Sequence, residues 1–226
     1  MGNIGHGEKY EEMRKKLLHT AAVLFLQKGY SMTSLKEIAA EAGTNTGVLN
    51  RTVGSKDNIL AFLVEFVLGE QFTNTTELLK DKTDDKILYY AVETVLQLHI
   101  VESDERIREL YAAAYSLPKT TEIIQNIVTE KLEYIFQEHL PHLESKNFYE
   151  REIASGGIMR GFMTIPCDRY FTMERKVAAF LETTLLVYEV PRKKIKEAIE
   201  FVSQFDFEQI AKDLVQSMLF KIRNEK

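Results

Sequence analysis

Between residues 10 and 28 the apolar side chains Met13, Leu17, Leu18, Ala21, Ala22, Leu24 and Phe25 recur three and four positions apart, with Arg14, Lys15, Lys16 and His19 between them. That period predicts an amphipathic helix with one face turned to a core. Gly29 follows in the place of a left-handed cap, and Tyr30 is set to fold back on the stripe. Ser34 with Glu37 three residues on is a capping-box pattern ahead of Leu35, Ile38 and Ala39, and Gly43 ends that short run. Asn45 caps a third short helix carrying Val48, Leu49 and Val53, which Gly54 breaks. Ser55 then starts a longer helix through Ile59, Leu60, Leu63, Phe66 and Val67 toward Leu79.

The charge-rich stretch 80–86 reads as a turn and a candidate hinge region between an N-terminal head and the rest. Helical periods resume at about 84–101 and 104–116. Prolines at 118, 141, 166 and 191 are tolerated only in the first turn of a helix or outside it. They divide the remainder into helices near 119–140, 146–165, 168–190 and 191–203. A last helix near 206–224 carries the stripe Phe207, Ile210, Ala211, Leu214, Val215, Met218, Leu219 and Ile222. No long stretch alternates apolar and polar positions. The expected fold class is therefore all-α: a three-helix head over 1–56 and a helical body over 57–226, joined by the helix that starts at residue 56.

Composition narrows the function. With 226 residues, 45% of them hydrophobic and 28% charged, the chain has material for a sizeable core. The net charge of −5 speaks against a nucleic-acid partner until it is divided. Residues 1–56 hold eight Lys/Arg against five Asp/Glu, and the remainder holds 21 against 29. A mildly basic head on an acidic body suits a phosphate-facing end. The single Cys167 can form no intrachain disulfide, and no signal peptide or membrane-length apolar run is visible, so a reducing cytoplasm is expected. The glycine-rich start at 1–7 is expected to fray. Phosphate loops, dinucleotide fingerprints, zinc-protease motifs and nucleophile elbows are lacking. The sole metal-like cluster, Glu138, His139 and His142, is interrupted by Pro141. No enzyme activity, cofactor or metal is expected.

Two short capped helices joined by a glycine turn and backed by a longer first helix describe a helix-turn-helix, whose second helix enters a DNA major groove. Ile38, Ala39, Val48, Leu49 and Val53 would hold the pair together, leaving Thr46, Asn50, Arg51 and Thr52 outside. From Leu17 to Leu63 the chain reads LLHTAAVLFLQKGYSMTSLKEIAAEAGTNTGVLNRTVGSKDNILAFL. This stretch resembles the TetR/AcrR family of repressors. Phe25, Lys28, Gly29, Tyr30, Thr33, Ser34, Ile38, Ala39, Ala42, Gly43, Gly47, Leu49, Ser55 and Lys56 fall on the family pattern without a gap. The family usually has tyrosine where Asn50 stands, an aromatic or histidine at Thr52 and phenylalanine at Val53. The recognition helix here is poor in aromatics.

The residue types suggest roles. Asn50 can read adenine, and Arg51 can grip guanine or a phosphate. Thr46 and Thr52 suit a phosphate or a thymine methyl. The resemblance implies a phosphate contact for Lys56; Thr33 is a candidate both as cap and as phosphate ligand, and Ser34 and Asn45 are further candidate DNA contacts. It also implies a homodimer on a roughly palindromic operator and a small-molecule effector in the body. The wide stripe of the final helix, and Gly157 with Gly161 one turn apart, mark candidate dimer surfaces. Tyr89, Glu93, His99, Tyr111, Tyr115, Phe136, Met159, Phe162 and Met163 are candidates for an effector pocket suited to an apolar or aromatic molecule, with Arg160 a further polar anchor. The expected function is a ligand-responsive, DNA-binding transcription repressor. The alternative is a protein of the same fold that has lost specific DNA binding and serves as an interaction module.

Overall fold

Local signals near the N-terminus are realised almost residue for residue. A computed structural model describes residues 4–224. Helix α1, Ile4–Lys28, is longer than its apolar stripe, so the glycines before residue 8 do not prevent helix; residues 1–3 of the stretch expected to fray lie outside the described residues. Gly29, at φ +88°, ends α1 by donating to Phe25 O at 2.9 Å. Helix α2, Leu35–Glu41, starts with both halves of the capping box from Ser34 and Glu37. It ends at Gly43, φ +68°, where Gly43 N donates to Ala40 O and Thr44 N to Ala39 O. That paired pattern needs a left-handed residue, which glycine adopts without a Cβ clash. Helix α3, Thr46–Thr52, has Asn45 as its cap, accepting from Val48 N at 3.0 Å.

These three helices and the start of α4, Lys56–Leu79, close one core. Leu17, Ala21 and Phe25 meet Ile38, Ala42, Leu49 and Ile59, all essentially without solvent contact. Tyr30 folds back as expected, its ring edge-on to Phe25 at 5.2 Å. Helix α4 is shared. Ile59 and Leu63 face the head core, while Leu60, Val64, Leu68 and Phe72 join Ala114 and Ile124 in a second cluster with α6, Glu105–Ala114, and α7, Pro118–Phe136.

Helix α5, Lys86–Glu102, runs through the middle of the body, buried from Tyr90 to Leu98. A helix buried on every side needs other helices around it. Helices α7, α8 (Ser145–Thr164), α9 (Met173–Val187), α10 (Arg192–Val202) and α11 (Phe207–Asn224) pack around it. Among the described residues there is no strand, and no helix is long and apolar enough to cross a membrane.

Two expectations need correction. Helix α9 starts at Met173 rather than near 168, because Asp168 Oδ1 accepts the N–H groups of Tyr170 and Phe171 at 2.7 Å and builds a turn there. The 80–86 stretch is not a hinge between head and body. It is the turn from α4 to α5, with Asp85 capping α5 and tied to Lys194 of α10 at 2.5 Å. The stripe of α11 is partly spent within the chain: Phe207, Ala211, Leu214 and Met218 enter the body core, and Ile222 reaches the head core. Ile210, Val215 and Leu219 of that stripe stay half-buried, and Phe220 on the same helix is exposed, so the chain does not cover the whole of α11.

Leu49 is the one buried residue of α3 and is fully covered. Leu49→Ala is expected to destabilise the protein by about 2–5 kcal/mol, the usual cost of such a cavity. The measurement is urea unfolding followed by circular dichroism. A loss below about 1 kcal/mol would mean that α3 is held by something other than this side chain.

Candidate nucleic-acid interface and body cavity

Docking α3 by Leu49 leaves Thr46, Gly47, Asn50 and Arg51 on its outer side, all exposed. The spacing i, i+1, i+4, i+5 places them on one stripe of the helix. Thr46, Asn50 and Arg51 make no side-chain hydrogen bond or ion pair with the described residues. A guanidinium and an amide held on a rigid, capped helix can form paired hydrogen bonds to base edges. Gly47 keeps the stripe thin between Asn45 and Arg51.

The other expected contacts are placed differently. Ser34 and Asn45 are exposed, but their side chains serve as caps, Ser34 in a reciprocal bond with Glu37. Hydrogen bonds from the Ser34 backbone, from Lys28 and from the Ser34 hydroxyl hold the Glu37 carboxyl down at about 2. Thr52 is half-buried and turns its hydroxyl onto Val48 O at 2.9 Å. Lys56 is half-buried, its ammonium 4.2 Å from the centre of the Tyr30 ring. Burial lowers its pKa, opposed by the charges of Glu109 and Asp57. Thr33 requires correction. It is fully buried, its hydroxyl bonded to Gly29 O at 2.8 Å and Leu24 O at 3.3 Å, so its side chain faces the head core and not a phosphate.

Polar contacts from α6 and α7 also tie the head to the body. Glu109 of α6 accepts from Ser31 N at 2.8 Å and from the Ser31 hydroxyl. The φ of +88° favours glycine at position 29, and a Cβ there would also push the Glu109 carboxylate aside. Arg106 of α6 donates to Gln27 O at 2.9 Å. Lys119 of α7 contacts Asn58 in the first turn of α4.

The nine candidate pocket residues do not form one site. Glu93, Tyr115 and Met159 line a small cavity of about 40 Å³ between α4, α5, α7, α8 and the end of α6. Tyr111 and Tyr115 line a neighbouring apolar cavity between α4, α5, α6 and α7. His99 lies elsewhere, stacked on Phe207 at 5.3 Å in an open groove beside α9 and α11. Tyr89, Phe136, Phe162 and Met163 line none of these spaces. Tyr89 donates to Phe72 O at 2.9 Å, Phe136 stacks on Tyr188 at 4.1 Å, Phe162 meets Phe180 edge-on at 5.6 Å and Met163 is buried in the core. Arg160 is exposed on α8 and also lies outside the cavities.

Sequence reasoning missed Glu152, Ser155, Gln97 and Lys131, which complete the first cavity with Phe72, Tyr90 and Thr94. A signal was present for Glu152. The buried face of α8 runs Phe148, Glu152, Ser155, Met159, Met163, and the carboxylate stands in phase with that stripe. Burial pushes Glu93 up to about 7, opposed by a hydrogen bond from Gln97 and by the charge of Lys131. Burial likewise pushes Glu152 up to about 8, opposed by the Ser155 hydroxyl and reinforced by the Glu93 charge. Both acids are more than nine-tenths buried. Glu138 and His139 are engaged at the end of α7, with Lys86 at 2.6 Å and Glu189 O at 3.2 Å. Among the described residues no three His, Cys, Asp or Glu gather as metal ligands.

Against known proteins, residues 17–62 match the family described as bacterial regulatory proteins, tetR family. An uncharacterized HTH-type transcriptional regulator, YuxN of Bacillus subtilis (strain 168), is 30% identical over 115 residues, 51% of this chain and 39% of that protein. The HTH-type transcriptional regulator HbdR of Aromatoleum sp. (strain CIB) is 38% identical over 58 residues, 26% of this chain and 25% of that protein. The matched stretches thus span well under half the length of these relatives. In three dimensions the chain is similar to SmeT, the repressor of the Stenotrophomonas maltophilia multidrug efflux pump SmeDEF. The likeness has a TM-score of 0.54 at 19% identity and covers 76% of this chain and 88% of that one. It extends the shared architecture beyond the head into the helical body.

The raised carboxyl of Glu152 has a consequence for stability. A group whose folded pKa lies above its ordinary 4.5 stabilises the fold fully below that value and loses the contribution as pH rises toward about 8. Glu152→Gln is therefore expected to melt several degrees above the parent at pH 9, with the gap closing by pH 5, as measured by calorimetry. A gap independent of pH would place the Glu152 carboxyl in water.

Proposed function

We propose, from the premise that residues 17–62 form the helix-turn-helix head of a tetR-family bacterial regulator, that this chain is a ligand-responsive transcription repressor. The reading divides it into a DNA-binding head over 1–56 and an effector-binding and dimerisation body over 57–226. The observation that carries it is the outer stripe of α3. Asn50 and Arg51 are exposed, bonded to nothing else in the described chain, and fixed on a helix capped at Asn45 and anchored by Leu49. Thr46, Thr52, Ser34, Asn45 and Lys56 surround that stripe as contacts to phosphates and thymine methyls. Side chains with no partner in the protein lose no internal bonds on meeting DNA. The basic excess of residues 1–56 adds long-range attraction.

One head reads too few base pairs for specific binding against a genome, and a second copy raises the effective concentration of the pair. The dimer surface in this reading is the outer side of α8 and α9. Tyr149, Ile153, Gly157, Gly161 and Ile165 run along α8, and Leu186 is exposed on α9. A Cβ added at Gly157 or Gly161 would meet nothing within 4 Å, so a facing helix can approach closely there. Effector binding in the body shifts the population of head spacings through α4, which forms part of both the head core and the body cavity. The repressor of the Stenotrophomonas maltophilia efflux pump offers a precedent for this role on this architecture. A second reading, an interaction module without specific DNA binding, is favoured by one observation: no aromatic side chain stands on the outer stripe of α3.

Selection of bound duplexes from a random pool separates the two. The regulator is expected to enrich a palindrome whose half-sites lie on one side of the duplex. No enrichment at low salt would support the interaction module. Arg51→Ala is expected to weaken binding to the selected sequence by about 1–3 kcal/mol with an unchanged melting temperature, read by gel shift and calorimetry. Unaltered affinity would remove Arg51 from the interface. Gly157→Arg is expected to give a folded monomer by light scattering, with operator affinity falling at least tenfold. A persistent dimer would move the subunit contact elsewhere.

A further inference from the structure

The central cavity carries two acids without an ion-pair partner. Glu93 enters from α5 and Glu152 from α8. Each has a single neutral hydrogen-bond donor from a side chain. Gln97 Nε2 donates to Glu93 Oε1 at 2.5 Å, and the Ser155 hydroxyl to Glu152 Oε2 at 3.0 Å. Glu93 Oε2 and Glu152 Oε1 accept no hydrogen bond from the described residues. An ionised carboxylate removed from water costs several kcal/mol unless an opposite charge meets it. The protein supplies no such charge in contact. Lys131 is the one cationic residue on the cavity wall. It is half-buried, with its ammonium 4.9 Å from the centre of the Phe72 ring, and it forms no salt bridge with either acid.

The remaining wall is aromatic and apolar. Phe72, Tyr90 and Tyr115 present rings, and Val128, Leu132, Ile135 and Met159 fill between them. Ring faces attract cations, and more strongly where water is excluded. Gln97 and Tyr115 are also walls of the apolar cavity between α4, α6 and α7. There Gln71 Oε1 is buried with no hydrogen-bond partner. Acid at one end, aromatic rings along the side and an apolar continuation describe a complement to one kind of molecule.

We propose that this cavity binds a hydrophobic organic cation, an alkyl or aryl ammonium, whose charged group lies against the Glu93 and Glu152 carboxyls and whose apolar part lies along Phe72, Tyr115 and Met159. The proposal rests on the reading of the body as an effector-binding unit and names the chemistry of the effector. It also accounts for why two acids are retained in a core where burial drives both toward protonation. The cation and the two carboxylates stabilise one another, so binding a permanent cation releases protons and tightens as pH rises from about 6 to about 9. The other titratable groups around the acids are Tyr89 and Tyr90 of α5, Tyr111 of α6 and Tyr115 that follows it, Lys131 of α7, and Tyr188 at the end of α9 with the neighbouring Arg151 of α8. Burial raises each of these tyrosines, which keeps them neutral across that range.

The test uses the full chain and three probes of similar shape: benzyltrimethylammonium, its uncharged isostere neopentylbenzene, and phenylacetate. Affinities are read by equilibrium dialysis and thermal shift at pH 6 and 8.5. Benzyltrimethylammonium is expected to bind at least tenfold tighter than either other probe at pH 8.5, and several-fold more weakly at pH 6. Glu93→Gln and Glu152→Gln are each expected to remove most of that preference while leaving neopentylbenzene binding unchanged, which also shows that the variants fold. Equal or tighter binding of the neutral or anionic probe, no binding of the ammonium, or preference retained in both variants overturns the proposal. Operator binding is measured alongside. If the ammonium binds through the two acids but leaves DNA affinity unchanged, the cation site stands and the effector reading falls. If the ammonium does not bind while operator binding responds to another class of molecule, the cation site falls and the regulator stands.

Discussion

Everything in this fold is referred to helix α4, because its side chains cannot satisfy the head without also fixing the body. Ile59 and Leu63 complete the head core, and Leu60, Val64, Leu68 and Phe72 pack on α6 and α7. A continuous helix of 24 residues is a rod of about 36 Å, stiff on the scale of the domain. It links the packing of α6 and α7 at one end to that of α2 and α3 at the other. The Glu109–Ser31 and Arg106–Gln27 bonds add a second attachment from α6. Ile222 of α11 adds a third, so the head is held to the body from several sides.

The body is built with a tension inside it. Its core is close-packed around α5, with Phe136 stacked on Tyr188 and Tyr90 edge-on to both at 5.3 and 5.7 Å. Within a few side chains of that stack stand Glu93 and Glu152. Replacing either with an apolar residue would fill the space and avoid the desolvation penalty, so their presence works against stability where packing alone would be selected. The contrast with Lys176 is instructive. That ammonium is just as buried, yet Glu102 at 2.7 Å and Ile165 O at 2.5 Å meet it and fix the loop before α9. One buried charge is answered within the chain and serves the architecture. The two acids are unanswered, and they line the cavity.

How much of this could be read from the sequence depended on distance along the chain. The capping of α2 and α3, the stops at Gly29 and Gly43 and the outward stripe with Asn50 and Arg51 are set by residues within four positions of one another. Periodicity and cap chemistry exposed them. Thr33 was misread because a hydroxyl beside a cap looks the same whether it faces solvent or, as here, bonds to Gly29 O four residues back. The cavity was only half legible. Side-chain type does not tell a ring that walls a void from one that fills it, so Phe136 and Met163 looked as eligible as Tyr115 and Met159. Glu152 was passed over among the charged neighbours Glu150 and Arg151, although its phase with Phe148 and Met159 marked it as buried. Contacts such as Ser31 to Glu109, 78 positions apart, have no local trace at all.

The last turn of α11 reaches across the molecule so that Ile222 closes the head core beside Leu17 and Leu63, and Lys221 pairs with Glu70 of α4 at 2.5 Å. The modular description of a portable head on an exchangeable body is therefore incomplete for this chain. A chimera that joins this head to a foreign body would bring Leu17 and Leu63 without the side chain that covers them, exposing an oily notch at the seam. Recombination between chains of this architecture has a natural crossover cost here. Exchanged segments must travel as an N-terminal piece and a C-terminal tail together, or the receiving body must offer a branched aliphatic side chain at the same place.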